Sequence, residues 1–466
     1  MICVKVRVRS ELQSSEIDTL HQLERHGLFD LRVPRYTSYP PANHFRAGEG
    51  QRHQHDWLAD VRDGEAISLY IHIPFCKRLC WFCACRTQGT RTLRPVESYL
   101  RTLLAEIARV REILPNVRLS RLHLGGGTPT ILSCKLMRLL LDAVFAAFER
   151  DENCEFSVEI DPTEASDPLL KTLVDYGLNR ASIGVQDFAP VVQAAIGRQQ
   201  SVAETRHVID FLRDQGVPSI NVDLLYGLPC QSPESFDATL EHVLALSPDR
   251  LAIYGYAHVP WMSKRQVMID EESLPDTHVR FALAERARLA FETAGYAAVG
   301  IDHFARPTDQ LARAKGEGRL RRNFQGYTDD TDETLIGLGA SAISQFRSGY
   351  VQNAVATSAY HERIAGGGLA GHKGYAMTPL DRLVSQMVED LMCSFAFRPK
   401  ALASAFPQHT AEIERTRRQL LEQFGDVLEK IDGDYVLPEP AQPLARFVAH
   451  ALDTFSTQGV AHAVAI

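Results

Sequence analysis

Six times between residues 69 and 294 a short run rich in Val, Ile, Leu and Tyr gives way to a polar or Gly-bearing stretch, then to apolar positions at helical spacing. The runs Leu69–Ile73, Arg121–Leu124, Phe156–Ile160, Arg180–Val185, Ile220–Leu225 and Arg250–Tyr254 predict strands. The segments Val96–Leu114, Lys135–Glu149, Leu169–Tyr176, Ala203–Asp214, Glu234–Ala245 and His278–Ala294 predict amphipathic helices. Such alternation pairs strands in parallel through right-handed crossovers, giving a doubly wound sheet or a barrel. The polar stretch after every strand favours a barrel, where these loops build one site. Six units instead of eight predict an α/β fold with a partial (β/α)6 TIM-like barrel, open enough for a large substrate.

The same pattern divides the chain into an N-terminal extension covering the site (residues 1–65), the partial barrel (66–365) and a mainly helical, winged-helix-like C-terminal domain (366–466). In the extension, Pro34-Arg-Tyr-Thr-Ser-Tyr-Pro40 reads as irregular, and Asn43–His55, with His44, His53 and His55, reads as solvated surface. Gly366–Gly368 and Gly371 read as a linker, and Asp432-Gly433 within Lys430–Val436 predicts a hairpin in the tail that starts near Thr378.

Composition narrows the function classes. With 45% hydrophobic residues in 466, the chain can bury a core large enough to offset the entropy of ordering it. Fifty Lys and Arg against 58 Asp and Glu, a formal charge of −8, argue against a nucleic-acid or membrane-surface binder. Arg415, Arg417 and Arg418 are a small charge cluster of the kind that exposed helices carry. The start, Met1 to Arg9, alternates charged with apolar residues, unlike a secretory signal, and Leu139–Phe148 falls short of the ~20 residues that span a bilayer. A cytoplasmic protein is expected. Nine cysteines are too few for a disulfide framework, yet Cys76, Cys80, Cys83 and Cys85 crowd one stretch, which in a reducing compartment reads as metal ligation or redox chemistry.

That stretch is Tyr70-Ile-His-Ile-Pro-Phe-Cys76-Lys-Arg-Leu-Cys80-Trp-Phe-Cys83-Ala-Cys85, leaving the first predicted strand. Three thiolates spaced C-x3-C-x2-C on one loop suit an iron–sulfur cluster with one iron open to another ligand. Cys85, a fourth thiol, keeps a zinc clasp open as an alternative. Leu124-Gly-Gly-Gly-Thr-Pro129 follows the second strand, where bare backbone can approach a ligand or simply make a tight turn. Glu159, Gln186 and Asp223 recur at later strand ends, one to a unit, as a shared site at a barrel mouth would require. His72, inside the first strand, reads as a hydrogen-bonded core residue.

On these motifs the sequence resembles the radical S-adenosylmethionine (SAM) enzymes. The resemblance implies that Cys76, Cys80 and Cys83 hold a [4Fe–4S] cluster whose fourth iron is chelated by SAM, and that reductive cleavage of SAM yields a 5′-deoxyadenosyl radical. Together with Pro34–Pro40, Gly184–Phe188, Asp223–Pro229, His303-Phe-Ala-Arg-Pro307 and Asn323-Phe-Gln-Gly-Tyr327, the motifs are similar to those of the oxygen-independent coproporphyrinogen III oxidases of haem biosynthesis. That family implies oxidative decarboxylation of two propionates of coproporphyrinogen III to vinyl groups, giving protoporphyrinogen IX. It further implies two SAM molecules, the first contacted by Tyr70, Gly126, Glu159 and Ile343. The second would be lined by Phe82, Gly127, Thr128, Gln186, Arg198, Asp223, Ala257, Phe324 and Gln325. Cys85 is implied to be catalytic, since it distinguishes the oxidases from a related haem-binding chaperone, the alternative reading. A flavodoxin- or ferredoxin-like electron donor, an electron acceptor and a monomeric state are also implied. Arg35, Arg91, Arg306, Arg319 and Arg322 are candidates for the substrate's four carboxylates by sequence neighbourhood.

Overall fold

A computed structural model describes residues 14–455. The charge-alternating start, Met1 to Arg9, lies outside the described residues. Six strands, β1 (Ala66–Ile73), β2 (Arg118–Gly126), β3 (Glu149–Ile160), β4 (Arg180–Gln186), β5 (Ser219–Tyr226) and β6 (Arg250–Gly255), lie side by side in chain order, all parallel. They alternate with helices α1 (Arg94–Ile113), α2 (Cys134–Ala147), α3 (Asp167–Asp175), α4 (Val202–Asp214), α5 (Pro233–Leu246) and α6 (Thr277–Thr293). A doubly wound sheet reverses its strand order at a switch point. No reversal occurs among these six, so every right-handed crossover lies on the same face and the sheet curls towards a barrel.

Local chemistry sets the helix starts. Ser201 and Ser232 form capping boxes with Glu204 and Ser235, and Asp276 caps α6. The buried faces of the helices cover the outer side of the sheet in one continuous apolar core. Leu335–Leu338 adds a seventh parallel strand beside β1, and short antiparallel strands extend both edges, so the barrel remains open. The glycine tract Gly366–Gly368 turns from the helix Thr357–Ala365 into Gly371–Ala376, a strand of this same sheet. The main sheet therefore ends beyond the glycines.

A second core joins segments far apart in sequence. Leu23–Tyr39 packs with the helices Pro379–Ser394, Thr410–Phe424 and Ala445–Leu452. The expected hairpin is present: Asp432 and Gly433, at φ 54° and 96°, turn between Glu429–Ile431 and Asp434–Val436. Part of the His-rich stretch is a helix, Glu49–Ala59, whose Gly50, Gln54, Trp57 and Leu58 are buried. Its inward face is half polar, which hides the helical period.

Candidate active site

The cysteine loop leaves β1 at Pro74 and is held by Phe75–Cys76, which pairs in parallel with Gln88–Gly89. Cys80 is buried, Cys76 and Cys83 are half-buried and Cys85 is exposed. No group of three or more His, Cys, Asp or Glu among the described residues is arranged around a single metal ion. Burial pushes the Cys76 thiol up to about 11 against a hydrogen bond with the Thr128 side chain. The hydrogen bond from Cys85 brings Cys83 down to about 6 despite burial, with Arg265 contributing, and the Cys85 thiol rises in return.

The glycine turn after β2 is stitched to this loop. Gly127 N–H donates to the Ile73 carbonyl and Thr128 N–H to that of Phe75, both at 2.8 Å. A Cβ on Gly127 would lie 2.6 Å from the Phe75 carbonyl oxygen, so only glycine permits the approach. At Gly126, φ is +110° and a Cβ would strike the His72 ring at 2.4 Å. The freed Gly126 N–H donates to Glu159 Oε2 at 2.9 Å. Burial raises the Glu159 carboxyl, but hydrogen bonds from His123 and Gly126 outweigh it and hold the group below the usual carboxylate range. Tyr70 stacks on His123 with ring centroids 5.7 Å apart and bonds His72 Nδ1 at 2.9 Å. His72 is thus the hydrogen-bonded residue expected, with Nε2 at 3.1 Å from the Arg86 carbonyl.

Arg198 is buried, with Nη1 2.9 Å from Asp161 and 3.6 Å from Cys80 Sγ. Its Nη2 donates to the Gly184 carbonyl at 2.8 Å, while Nε has no hydrogen-bond partner. Asp161 had no signal in the sequence beyond its place after a strand. Gln186, at φ 70°, ends β4 in a left-handed turn where the ladder shifts register. Asp223 receives bonds from Ser182 at 2.9 Å and Asn221 at 2.8 Å, and burial raises its carboxyl.

Gln266, also missed from the sequence, is fully buried and donates to the carbonyls of both Phe82 and Ala257, at 2.8 and 3.1 Å. It fastens the cysteine loop to the chain beyond β6. Ser263 Oγ adds a bond to the Cys83 carbonyl at 2.8 Å. Phe324 packs edge-on to Phe45 and Tyr350, and Ile343 opens the strand Ile343–Phe346. Gln325 lines a small cavity with Ser68, His123, Ser157 and Leu335, below the turn.

Of the five candidate arginines, Arg35 and Arg322 meet: Arg322 Nη2 donates to the Arg35 carbonyl at 3.4 Å. Arg306 instead bonds the Pro248 carbonyl at 3.1 Å near the start of β6, Arg319 pairs with Glu317, and Arg91 is exposed.

Thiols on one loop, a glycine turn pressed against it where no Cβ fits, and the buried unpartnered Arg198 Nε suit a thiolate-held cluster with a small polar ligand beside it. Residues 70–243 match the model of the Radical SAM superfamily, so the parallel strands and the three-cysteine loop define a radical SAM protein. Over 446 residues, 96% of this chain and 99% of the relative, it is 51% identical to the oxygen-independent coproporphyrinogen III oxidase of Paracoccus denitrificans. It is 39% identical to the Salmonella typhimurium enzyme of that name over 84% of this chain and 86% of the other. Coproporphyrinogen III oxidase (HemN) from Escherichia coli, a radical SAM enzyme, superposes with a TM-score of 0.86 at 33% identity, covering 91% of this chain and 100% of that one. The chain belongs to the oxygen-independent coproporphyrinogen III oxidase family. No helix among the described residues is long and apolar enough to cross a membrane.

Proposed function

We propose that this chain oxidatively decarboxylates two propionate side chains of coproporphyrinogen III to vinyl groups without oxygen, giving protoporphyrinogen IX in haem biosynthesis. The observation that carries the reading is the cysteine loop bonded to the glycine turn through Gly127 and Thr128, in a chain alike over nearly its full length to enzymes of that name. Cys76, Cys80 and Cys83 would hold the [4Fe–4S] cluster. Tyr70, Gly126, Glu159 and Ile343 would hold a first SAM, and Phe82, Gly127, Thr128, Gln186, Arg198, Asp223, Ala257, Phe324 and Gln325 a second. Bound there, cluster and SAM supply a one-electron route to a radical that removes a hydrogen atom from carbon.

The chain's own residues supply position and charge. Arg198 sets a buried cation against Cys80 Sγ, at 3.6 Å, on the loop that would hold the cluster. Glu159, held ionised, fixes the Gly126 N–H and leaves the carbonyls of the turn to receive an ammonium group. Asp223, oriented by Ser182 and Asn221, accepts from ribose hydroxyls. Cys85, accessible beside Cys83, is the residue assigned to touch substrate. Each vinyl group formed releases CO2 and one electron after hydrogen loss, so an external electron donor and a final acceptor are both required. We assign the protein to the cytoplasm as a monomer.

The test is anaerobic reconstitution with iron and sulfide, then electron paramagnetic resonance of the reduced protein with and without SAM. Coproporphyrinogen III is added last, and protoporphyrinogen is assayed together with 5′-deoxyadenosine. A SAM-perturbed [4Fe–4S] signal with coupled formation of both products is expected. Haem binding with no porphyrinogen turnover would overturn the reading in favour of a haem-binding chaperone.

A further inference from the structure

Three arginines from distant parts of the chain converge where β5 and β6 end. Arg35, from the extension, donates to the Gly255 carbonyl at 2.5 Å. Arg280, from α6, donates to the Tyr256 carbonyl at 2.7 Å. Arg322, from the hairpin Arg321–Thr328, donates to the carbonyls of Tyr36 at 3.2 Å and Arg35 at 3.4 Å. All of these acceptors are neutral. Behind them, Arg446 of the helix Ala445–Leu452 bonds the carbonyls of Pro34 at 3.0 Å and Val33 at 2.5 Å, holding the Arg35 backbone in place.

Among the described residues, Asp302 is the one carboxylate within ion-pair range of Arg35, Arg280 and Arg322. Asp302 lies 3.8 Å from Arg322 and is shared with His303 at 2.6 Å. The Arg322 side chain is only 4% exposed, and its Nη1, like Nε of Arg280, is buried without a hydrogen-bond partner. Burial and the neighbouring Arg35 pull the Arg446 guanidinium down to about 10, and burial lowers Arg280 as well, with Arg35 adding to it. Shielded cations in excess of anions are costly unless an anion completes the set. Arg35, the exposed member, gives such an anion access. Gly255, which Arg35 grips, is two residues before Ala257, whose carbonyl Gln266 ties to that of Phe82 in the cysteine loop.

We infer that Arg35, Arg280 and Arg322 form a carboxylate-binding site that anchors non-reacting propionates of the tetrapyrrole and so presents the reacting one to the radical chemistry. The inference rests on the substrate reading above and adds where the substrate's charge is held. Planar guanidinium groups suit carboxylates because each offers two parallel N–H donors. No single segment carries the site, since extension, α6 and hairpin each supply one arginine.

The test is fluorescence titration of the anaerobically reconstituted protein with coproporphyrin III, the stable aromatic form bearing the same four carboxylates, and with its tetramethyl ester. Arg35→Gln is the principal variant because Arg35 is exposed; iron content and thermal melting check its fold. Loss of one charge-assisted contact is expected to weaken coproporphyrin III binding roughly ten- to a hundredfold, with Arg35→Lys recovering part of the loss and the ester scarcely affected. Arg322→Lys, which keeps the charge but not the fork, should weaken binding less than Arg35→Gln. Equal affinity of wild type and Arg35→Gln for coproporphyrin III would overturn the site alone. A wild-type protein that binds no coproporphyrin III would overturn both site and substrate reading.

Discussion

The two ends of the barrel treat charge in opposite ways. At the N-terminal end Arg121 lies 3.3 Å from Glu155, 3.2 Å from Asp329 and 3.6 Å from Asp330. Arg180 is 3.1 Å from the same Glu155, and Arg250 is 2.7 Å from Asp309. Each cation there has its anion, supplied partly by the acidic segment Asp329–Asp332 that closes the barrel from below. At the C-terminal end Arg198 meets Asp161 and Arg322 lies 3.8 Å from Asp302, but Asp223 is held by Ser182 and Asn221 and the side chains of Arg35 and Arg280 by backbone carbonyls, all of them neutral partners. The closed end is built to stay shut and the open end to be completed by ligands.

If that division holds, substitutions at the two ends should fail differently. The largest effect falls at the open end: Cys80→Ala should abolish iron retention and turnover while leaving the far-UV circular dichroism spectrum of the apoprotein unchanged. Iron analysis beside an activity assay checks it; retained cluster and turnover would remove Cys80 from the ligand set. At the closed end, Glu155→Gln leaves the half-buried Arg180 without its nearest carboxylate and should cost about 2–3 kcal/mol of stability, below the full cost of breaking a buried pair, read by urea unfolding. A cost under about 1 kcal/mol would mean that the pairs are no more than surface-like.

Acid should act through the same carboxylate. Burial opposes ionisation of Glu155, but Arg180 and Arg121 overcome it and bring the group down to about 2 from an ordinary value of 4.5. A depressed carboxyl contributes stability that is fully present above its unfolded value and lost as pH falls towards the folded one. The stability gap between wild type and Glu155→Gln should therefore hold above pH 4.5 and narrow from there towards pH 2. A gap that stays constant through that window would show that Glu155 does not titrate as its neighbours dictate.

A smaller effect is expected at Gln266, which acts only through backbone bonds. Gln266→Met leaves the Phe82 and Ala257 carbonyls and the Val259 N–H without their partner, a loss of about 1–3 kcal/mol felt locally. Iron should leave faster on chelator challenge, with little change in the melting of the barrel.

The same division explains what could be read from the sequence. The six strands were legible because each runs apolar into a Gly, Pro or polar break, and the cysteine loop because its spacing is short and local. β3 begins earlier than its apolar run because Glu149–Glu155 is polar and joins the ladder through a register shift between Leu119 and Arg121. Leu335–Leu338 is too short, and too isolated from a following helix, to signal a seventh parallel strand. Asp161, Gln266 and the acidic closure at Asp329–Asp332 had no motif, since each acts on a partner at least 37 residues away in the chain. The ion pair of Arg198 with Asp161, at 2.9 Å, was likewise not legible in the sequence. The second core was hidden for the same reason: Leu23–Tyr39 finds its apolar partners in helices at the other end of the chain.

Salt gives the finest discrimination between the two ends. The pairs around Arg121 and Arg180 are largely buried, so counterions screen them weakly, whereas a carboxylate approaching exposed Arg35 does so through solvent. Raising ionic strength from about 0.05 to 0.5 M shortens the screening length from above 10 Å to below 5 Å. The melting temperature of the substrate-free protein should then move by no more than a few degrees, while coproporphyrin III affinity falls severalfold. In Arg35→Gln the affinity should already be low and its salt dependence shallower, because the screened contact is gone. Should melting and affinity instead fall together with salt in both proteins, the barrel floor would owe as much to exposed charge as the ligand end, and the contrast between the ends would not hold.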